Sequence, residues 1–172
     1  RHPRDARGST AVQQLSGQVC QRAGGGELRE GKPVSFDVQA AEKVFQSYRL
    51  TVRNPGGHSS LPEKDNAIYR LAAALGRVGD YEFPFELNNV TRAYYEQIAK
   101  RASGQRAADL HAMLATPPDE QAIARLSKDS IDHAVMRTTC VATRLEAGHA
   151  NNALPQRARA TVNCRILPGH SP

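Results

Sequence analysis

The chain has 172 residues and a formal net charge of +6, because 23 Lys and Arg residues outnumber 17 Asp and Glu residues. This length is enough for a domain with a real core, but aromatic residues make up only 5% and tryptophan is absent, so packing must rely on aliphatic side chains. No apolar run approaches the roughly 20 residues of a membrane span and no signal peptide is visible, so we expect no membrane partner and leave the location unknown.

The N-terminal third begins without a clear pattern and then becomes strand-like. Residues 1–32 are polar, contain glycines and lack periodicity, so we expect a flexible segment. Alternating apolar residues from Val34 to Ala40 predict a strand, and a second strand is predicted over 45–53. The apolar residues of the second strand share one face: Tyr48, Leu50 and Val52.

A glycine-rich turn follows the second strand, with the sequence Asn-Pro-Gly-Gly-His-Ser-Ser-Leu-Pro over 54–62. Pro55 restricts the residue before it, and Gly56 and Gly57 permit positive φ, so His58 lies on a shaped turn from which its imidazole can reach outward. An ordinary turn with a solvated histidine explains the same spacing, because a lone histidine carries little specificity.

Helical spacing dominates the middle of the chain. A helix is predicted over 65–78, ending at Gly79. The insert that follows, about 80–136, contains three helical patterns, at 91–102, 105–115 and 119–126. This insert either shapes a substrate pocket, pads an interface, or is a surface decoration with its own small core.

The C-terminal part reads as two strands joined by a loop. Residues 137–146 are rich in β-branched side chains, and a second strand is predicted over 156–167, where residues 157–166 alternate strictly between polar and apolar. The alternation places Arg165 on the polar face, and Asn152 falls on the connecting loop. On the residues alone, the arginine could equally be a solvated strand residue and the asparagine a turn-former.

Three cysteines, Cys20, Cys140 and Cys164, are too few and too widely spread for a disulfide framework. Cys164 faces the predicted core, and Cys140 could be its neighbour across the two strands. The sequence favours two buried thiols over a bridge.

Four stretches closely resemble, in the same order, the lid or dimerisation domain of the dinuclear zinc metallopeptidases that include aminoacylase, carboxypeptidase S, carboxypeptidase G and succinyl-diaminopimelate desuccinylase. The stretches are Ala41-Glu42-Lys43, Gly56-Gly57-His58-Ser59-Ser60 with Pro62, Asn152-Ala153-Leu154-Pro155, and Cys164-Arg165-Ile166-Leu167-Pro168-Gly169. The resemblance covers roughly residues 24–172 and looks most like the carboxypeptidase S branch.

This resemblance implies an α+β fold: a ferredoxin-like antiparallel sheet with helices on one face, incomplete at the C-terminus and carrying a helical insert. It assigns 33–44 to a remnant of the catalytic-domain edge strand and 45–172 to the lid or dimerisation domain, after an unmatched segment at 1–32.

The resemblance also implies roles for individual residues. His58 is expected to cross a two-fold interface and donate a hydrogen bond to the scissile carbonyl oxygen in the partner's active site. Asn152 and Arg165 are expected to contact the substrate near its carboxylate, which a guanidinium fork can pair with bidentately. Three neighbours of the histidine are expected to shape the loop at the dimer interface: Gly56, Gly57 and Ser59.

The metal ligands of the family are not visible in this sequence, which has no His-x-Asp, no Glu-Glu pair and no Cys-x-x-Cys. We therefore expect zinc in the intact enzyme but none bound by this chain, and no hydrolysis by this chain alone. The intact enzyme is expected to be a homodimer that acts on a small peptide or an N-acyl amino acid.

The positive charge supports a second hypothesis, a non-enzymatic basic module that binds nucleic acid or protein. Single-strand recognition needs aromatic side chains on the sheet, and only Tyr48 is well placed on the predicted central strands. The hydrolase domain is therefore favoured, with no nucleic-acid partner expected.

Overall fold

The structure, a computed structural model, describes residues 25–29, 31–37 and 40–171. Two compact units divide the chain. The sheet unit contains Val44–Phe85 and Arg137–Ile166, and the helical unit contains Glu86–Met136.

An antiparallel hairpin, formed by β1 (Gly25–Arg29) and β2 (Lys32–Asp37), is assigned to the same unit as the helices of Glu86–Met136. The sequence predicts β2 but not β1, which lies in the segment expected to be flexible. Residues 1–24 of that segment lie outside the described residues, and the assignment of 33–44 to the edge of a catalytic domain stays a prediction.

The elements of the sheet unit are, in chain order, β3 (Val44–Arg53), β4 (Gly57–His58), α1 (Ala67–Asp80), β5 (Thr139–Ala147), β6 (Ala153–Leu154) and β7 (Arg157–Ile166). Strand β7 lies between β3 and β5 and pairs antiparallel with both. Strands β4 and β6 form a separate short antiparallel pair. The predicted α+β architecture with an antiparallel sheet is confirmed.

One face of the sheet is buried beneath α1. The register places Leu50 opposite Ala160 and Val52 opposite Ala158, so these side chains point to the same side. They pack with Ala67, Leu71 and Leu75 of the helix. The alternation along β7 arises because every second residue contacts this core. The polar residues of the strand consequently line the opposite face, which points away from α1.

Helix α1 runs past its predicted end. Its N-cap is Asn66, whose Oδ1 accepts a hydrogen bond from the Ile68 N–H at 2.8 Å. Gly79 was expected to stop the helix, but the helix continues to Asp80, because a glycine that keeps helical φ only lowers helix propensity. The extended Tyr81 is the residue that ends it.

The helical unit contains α2 (Asn89–Arg101), α3 (Gly104–Leu114), α4 (Glu120–Leu126) and α5 (Ser130–Val135). The first three match the predicted helices within two residues, and the six-residue α5 has no counterpart in the prediction. Asp132 of α5 is buried and accepts hydrogen bonds from the Tyr95 hydroxyl (3.2 Å) and Arg106 (2.6 Å), which ties α5 to α2 and α3. Among the described residues, no helix combines the length and apolar character needed to cross a membrane.

The two cysteines of the sheet form a disulfide, so the expectation of two free buried thiols is wrong. Cys140 of β5 lies directly opposite Cys164 of β7, with a Cα–Cα distance of 4.1 Å. Directly opposed residues bring their side chains into contact, and this register is the physical reason for the bridge. The disulfide therefore links the edge strand β5 to the central strand.

Candidate functional site

The glycine-rich turn is braced from both sides. The Asn54 side chain accepts a hydrogen bond from the Gly56 N–H (2.9 Å) through Oδ1 and donates one to the Asp65 carbonyl (2.8 Å) through Nδ2. The Gln156 side chain donates to the Pro55 carbonyl (3.2 Å), while its backbone carbonyl accepts from the Asn54 N–H (3.0 Å). These bonds fix the path of the chain between β3 and β4.

Glycine is required at the start of β4 because the backbone approaches the opposite segment closely. Gly56 has a φ of +81°, and a Cβ built on it would lie 2.6 Å from Gln156 Cγ. At Gly57 a Cβ would lie 3.2 Å from Leu154 Cδ1. The two glycines thus let β4 pair with β6, and their expected place at a dimer interface stays a prediction.

This pairing brings the backbones of two predicted site residues, His58 and Asn152, close together. His58 pairs with Ala153, and the Ser59 N–H donates to the Asn152 carbonyl at 3.0 Å. Both His58 and Asn152 are exposed. The imidazole and the asparagine therefore lie at the same end of the sheet unit, next to the start of β7.

A tight turn after β4 determines which nitrogen of His58 carries the proton. The Leu61 N–H donates to the His58 carbonyl (3.0 Å), which closes a turn that holds Ser60 beside Nδ1 of the ring. Nδ1 accepts the Ser60 backbone N–H (3.2 Å) and lies 2.7 Å from the Ser60 hydroxyl. A backbone N–H can only donate, so the neutral ring must carry its proton on Nε2. His58 thus presents an N–H donor from the ring nitrogen that Ser60 does not contact.

Ser60 is a site residue that the sequence analysis missed. Ser59 was expected to matter beside the histidine, but it contacts the opposite segment through its backbone, whereas Ser60 contacts the imidazole. The Gly-His-Ser-Ser motif could have indicated this contact, because serine residues two positions after a side-chain acceptor often hydrogen-bond to it in a local turn.

Arg165 lies near the opposite end of β7. It lies eight positions along the strand from Arg157, which corresponds to roughly 27 Å at about 3.4 Å per strand residue. Its guanidinium stacks on Phe45, 4.7 Å from the ring centroid, on the face away from α1. Within the described part of the chain, no acceptor bonds to this guanidinium. The structure therefore brings His58 and Asn152 together and leaves Arg165 apart from both.

In 25–29, 31–37 and 40–171, no three His, Cys, Asp or Glu side chains lie close enough together to hold a metal ion. The residues of the candidate site thus do not fit a zinc centre, and the expectation that this chain binds no zinc stays a prediction.

Comparison with known families gives a match over most of the chain. The model of the peptidase dimerisation domain matches residues 40–172. The match covers β3 to β7 and every residue of the candidate site.

Individual relatives are longer than this chain. It is 30% identical over 142 residues to the N-fatty-acyl-amino acid synthase/hydrolase PM20D1 of Homo sapiens, covering 81% of this chain and 28% of that enzyme. It is 31% identical over 141 residues to a probable carboxypeptidase S-like protein of Dictyostelium discoideum, covering 81% and 26%. The chain therefore spans about a quarter of these relatives.

Among solved structures, an M20 family metallo-carboxypeptidase of Sulfolobus solfataricus is similar, with 18% identity and a TM-score of 0.44 over 76% of this chain and 32% of that one.

Proposed function

Because this chain belongs to the peptidase dimerisation domain family, we propose that it is the dimerisation segment of a zinc-dependent hydrolase that cleaves an amide bond beside a carboxylate. The two relatives support this substrate class, since one is named for N-fatty-acyl amino acids and the other for carboxypeptidase S. A small peptide or an N-acyl amino acid has the required amide next to a free carboxylate.

The separation between His58 and Arg165 is the observation that carries the proposal. In such a substrate the scissile carbonyl and the carboxylate are one residue apart, roughly 4–5 Å. The histidine and the arginine of one chain are separated by most of β7, so they cannot both contact one substrate molecule. Two copies related by a two-fold axis can combine the His58 end of one with the Arg165 end of the other.

We assign His58 the role of a hydrogen-bond donor to the scissile carbonyl in the partner's site. As water adds to an amide, negative charge develops on that oxygen, and a preorganised donor stabilises the charge more than it stabilises the substrate. The Nε2–H suits this role because Ser60 occupies Nδ1, so the donor is already oriented. Asn152, at the same end of the unit, contacts the same substrate beside the histidine.

Arg165 acts in the active site of its own subunit. We call this site, completed by His58 and Asn152 of the partner copy, the composite site. The guanidinium lies over the Phe45 ring, a contact that leaves the N–H groups of the fork available for two parallel hydrogen bonds. A carboxylate of the substrate fits this edge. The zinc ions that the family implies would be held elsewhere in the hydrolase.

The test is His58→Ala in the intact hydrolase. We expect kcat to fall about 10²- to 10³-fold, as for loss of one oxyanion donor, with dimer mass and zinc content unchanged. His111→Ala is the matched control, because this histidine is also exposed but lies on α3 of the helical unit. An unchanged kcat in the His58 variant, or a fall that merely follows loss of the dimer, would refute the proposed role.

A further inference from the structure

The face of the sheet opposite α1 carries a group of arginines in its centre. Arg49 of β3 and Arg144 of β5 both lie opposite Thr161 of β7, so the three side chains form one row across the sheet. Arg159 lies two residues along β7 and therefore points to the same side, next to Glu146. These five residues are called the arginine cleft below.

A cavity of about 260 Å³ opens between these side chains. Its lining includes all five residues of the arginine cleft. The cavity arises at a β-bulge, where Ala142 lies opposite Val162 but Arg144 opposite Thr161, so that Thr143 is an extra residue. A bulge bends the edge strand and redirects its side chains, which is how Arg144 comes to share the face of Arg49.

The charges in the cleft are not balanced. Arg144 pairs with Glu146 at 3.1 Å, an exposed contact. Arg49 and Arg159 have no acidic partner among the residues that the structure describes. The Nε of Arg159 is also buried and donates to no acceptor in that part of the chain. Three guanidinium groups thus face one carboxylate, and a buried donor remains available.

We propose that the arginine cleft binds a small oxyanion with two or more negative charges, such as a phosphate or a dicarboxylate. Such a ligand would neutralise the excess positive charge, and its oxygens match the planar fork of a guanidinium. The Thr161 hydroxyl, at the centre of the row, supplies a further donor. His58 and Asn152 take no part in this cleft, so the inference stands apart from the proposed hydrolase function.

A small ligand suits the cleft better than a nucleic acid. Single-stranded nucleic acids are held largely by bases stacked on aromatic side chains, and no aromatic residue lines this cavity. Tyr48 lies opposite Val162, on the side of the sheet that packs against α1. The volume and the polar lining are those of a site for a compact anion.

The experiment titrates the nitrogen-labelled 172-residue chain with inorganic phosphate, succinate and acetate at low salt, following amide and arginine Nε–H signals by NMR. We expect saturable shifts with at least one of the two polyvalent probes, centred on Arg159 and Thr161, and much weaker binding of acetate. The stronger probe decides between a phosphate and a dicarboxylate ligand. Arg159→Gln should weaken binding about tenfold or more, because a charge-assisted hydrogen bond is lost.

Two variants separate the local effect from the change in net charge. Arg49→Gln should also weaken binding, whereas Arg77→Gln, on α1, removes the same charge outside the cleft and should change binding little. Circular dichroism confirms that each variant is folded. The proposal is overturned if neither polyvalent probe saturates, if Arg77→Gln weakens binding as much as both cleft variants, or if only an oligonucleotide binds.

Discussion

Reduction of the Cys140–Cys164 disulfide should destabilise the sheet unit by a predictable amount. The bridge closes a loop with a sequence separation of 24 residues. In the chain-entropy model a loop of this size lowers the entropy of the unfolded chain enough to contribute about 3.5 kcal/mol. Both sulfurs belong to the packed face of the sheet, with Cys164 only 5% exposed, so the reduced thiols stay buried and the loop term dominates.

The assay compares urea unfolding of the oxidised and reduced chain in a Cys20→Ser background, which leaves only the two sheet cysteines. Hydrogen exchange of the β5 and β7 amides attributes the loss to the sheet unit rather than to the helical unit. We expect faster exchange in the edge strand β5 after reduction. Equal unfolding free energies within about 1 kcal/mol, or two free thiols in the protein purified without reductant, would refute this reasoning.

Two further changes test the turn and the helical unit. Gly56→Ala should lower the free energy of unfolding in urea by about 1–3 kcal/mol, because the residue has positive φ and a close neighbour. At Gly76 of α1 an added Cβ meets open space, so Gly76→Ala should raise the free energy of unfolding by up to about 1 kcal/mol. Equal effects of the two substitutions would contradict the structure. The Arg125 guanidinium, assisted by Gln105, holds the pKa of Asp109 below its usual range. The ion pair therefore stabilises the fold above about pH 4, and this contribution is lost as the pH falls through the pKa of Asp109 in the folded state. Arg125→Gln should consequently reduce the loss of unfolding free energy at acid pH. An unchanged pH dependence in this variant would exclude the ion pair as the cause of that loss.

The main strands and α1 could be predicted because a single buried face imposes its period on the sequence. Residues 157–166 alternate without interruption since each apolar side chain contacts the core beneath α1. The short pair β4–β6 could not be predicted in the same way, because two residues carry no period. It depends on the close approach that Gly56 and Gly57 permit.

Features that depend on the pairing register of neighbouring strands could not be predicted from the sequence. The disulfide requires Cys140 to lie directly opposite Cys164, and the arginine cleft requires the bulge near Thr143. A shift of one residue in β5 would turn Arg144 to the other face. Alternation within one strand does not specify its partner in the next strand, so neither feature follows from the pattern alone.

The candidate site was predicted in its parts but not in its arrangement. The motifs identified His58, Asn152 and Arg165, and the structure adds that only the first two are neighbours. Ser60 was missed because a local turn, rather than periodicity, places it against the imidazole. The distance along β7 is what the structure adds to the motifs, and the proposal of a site shared between two copies rests on it.

Complementation between inactive variants of the intact hydrolase tests this composite site most directly. Dimers are re-formed from a one-to-one mixture of His58→Ala and Arg165→Ala subunits, so about half are mixed. If the histidine acts in the partner's site and the arginine in its own, one of the two sites in each mixed dimer is intact, and about one quarter of wild-type activity returns. A His58→Ala and Asn152→Ala mixture should stay inactive, because both residues serve the same partner site. No recovery in the first mixture, or equal recovery in both, would contradict the account.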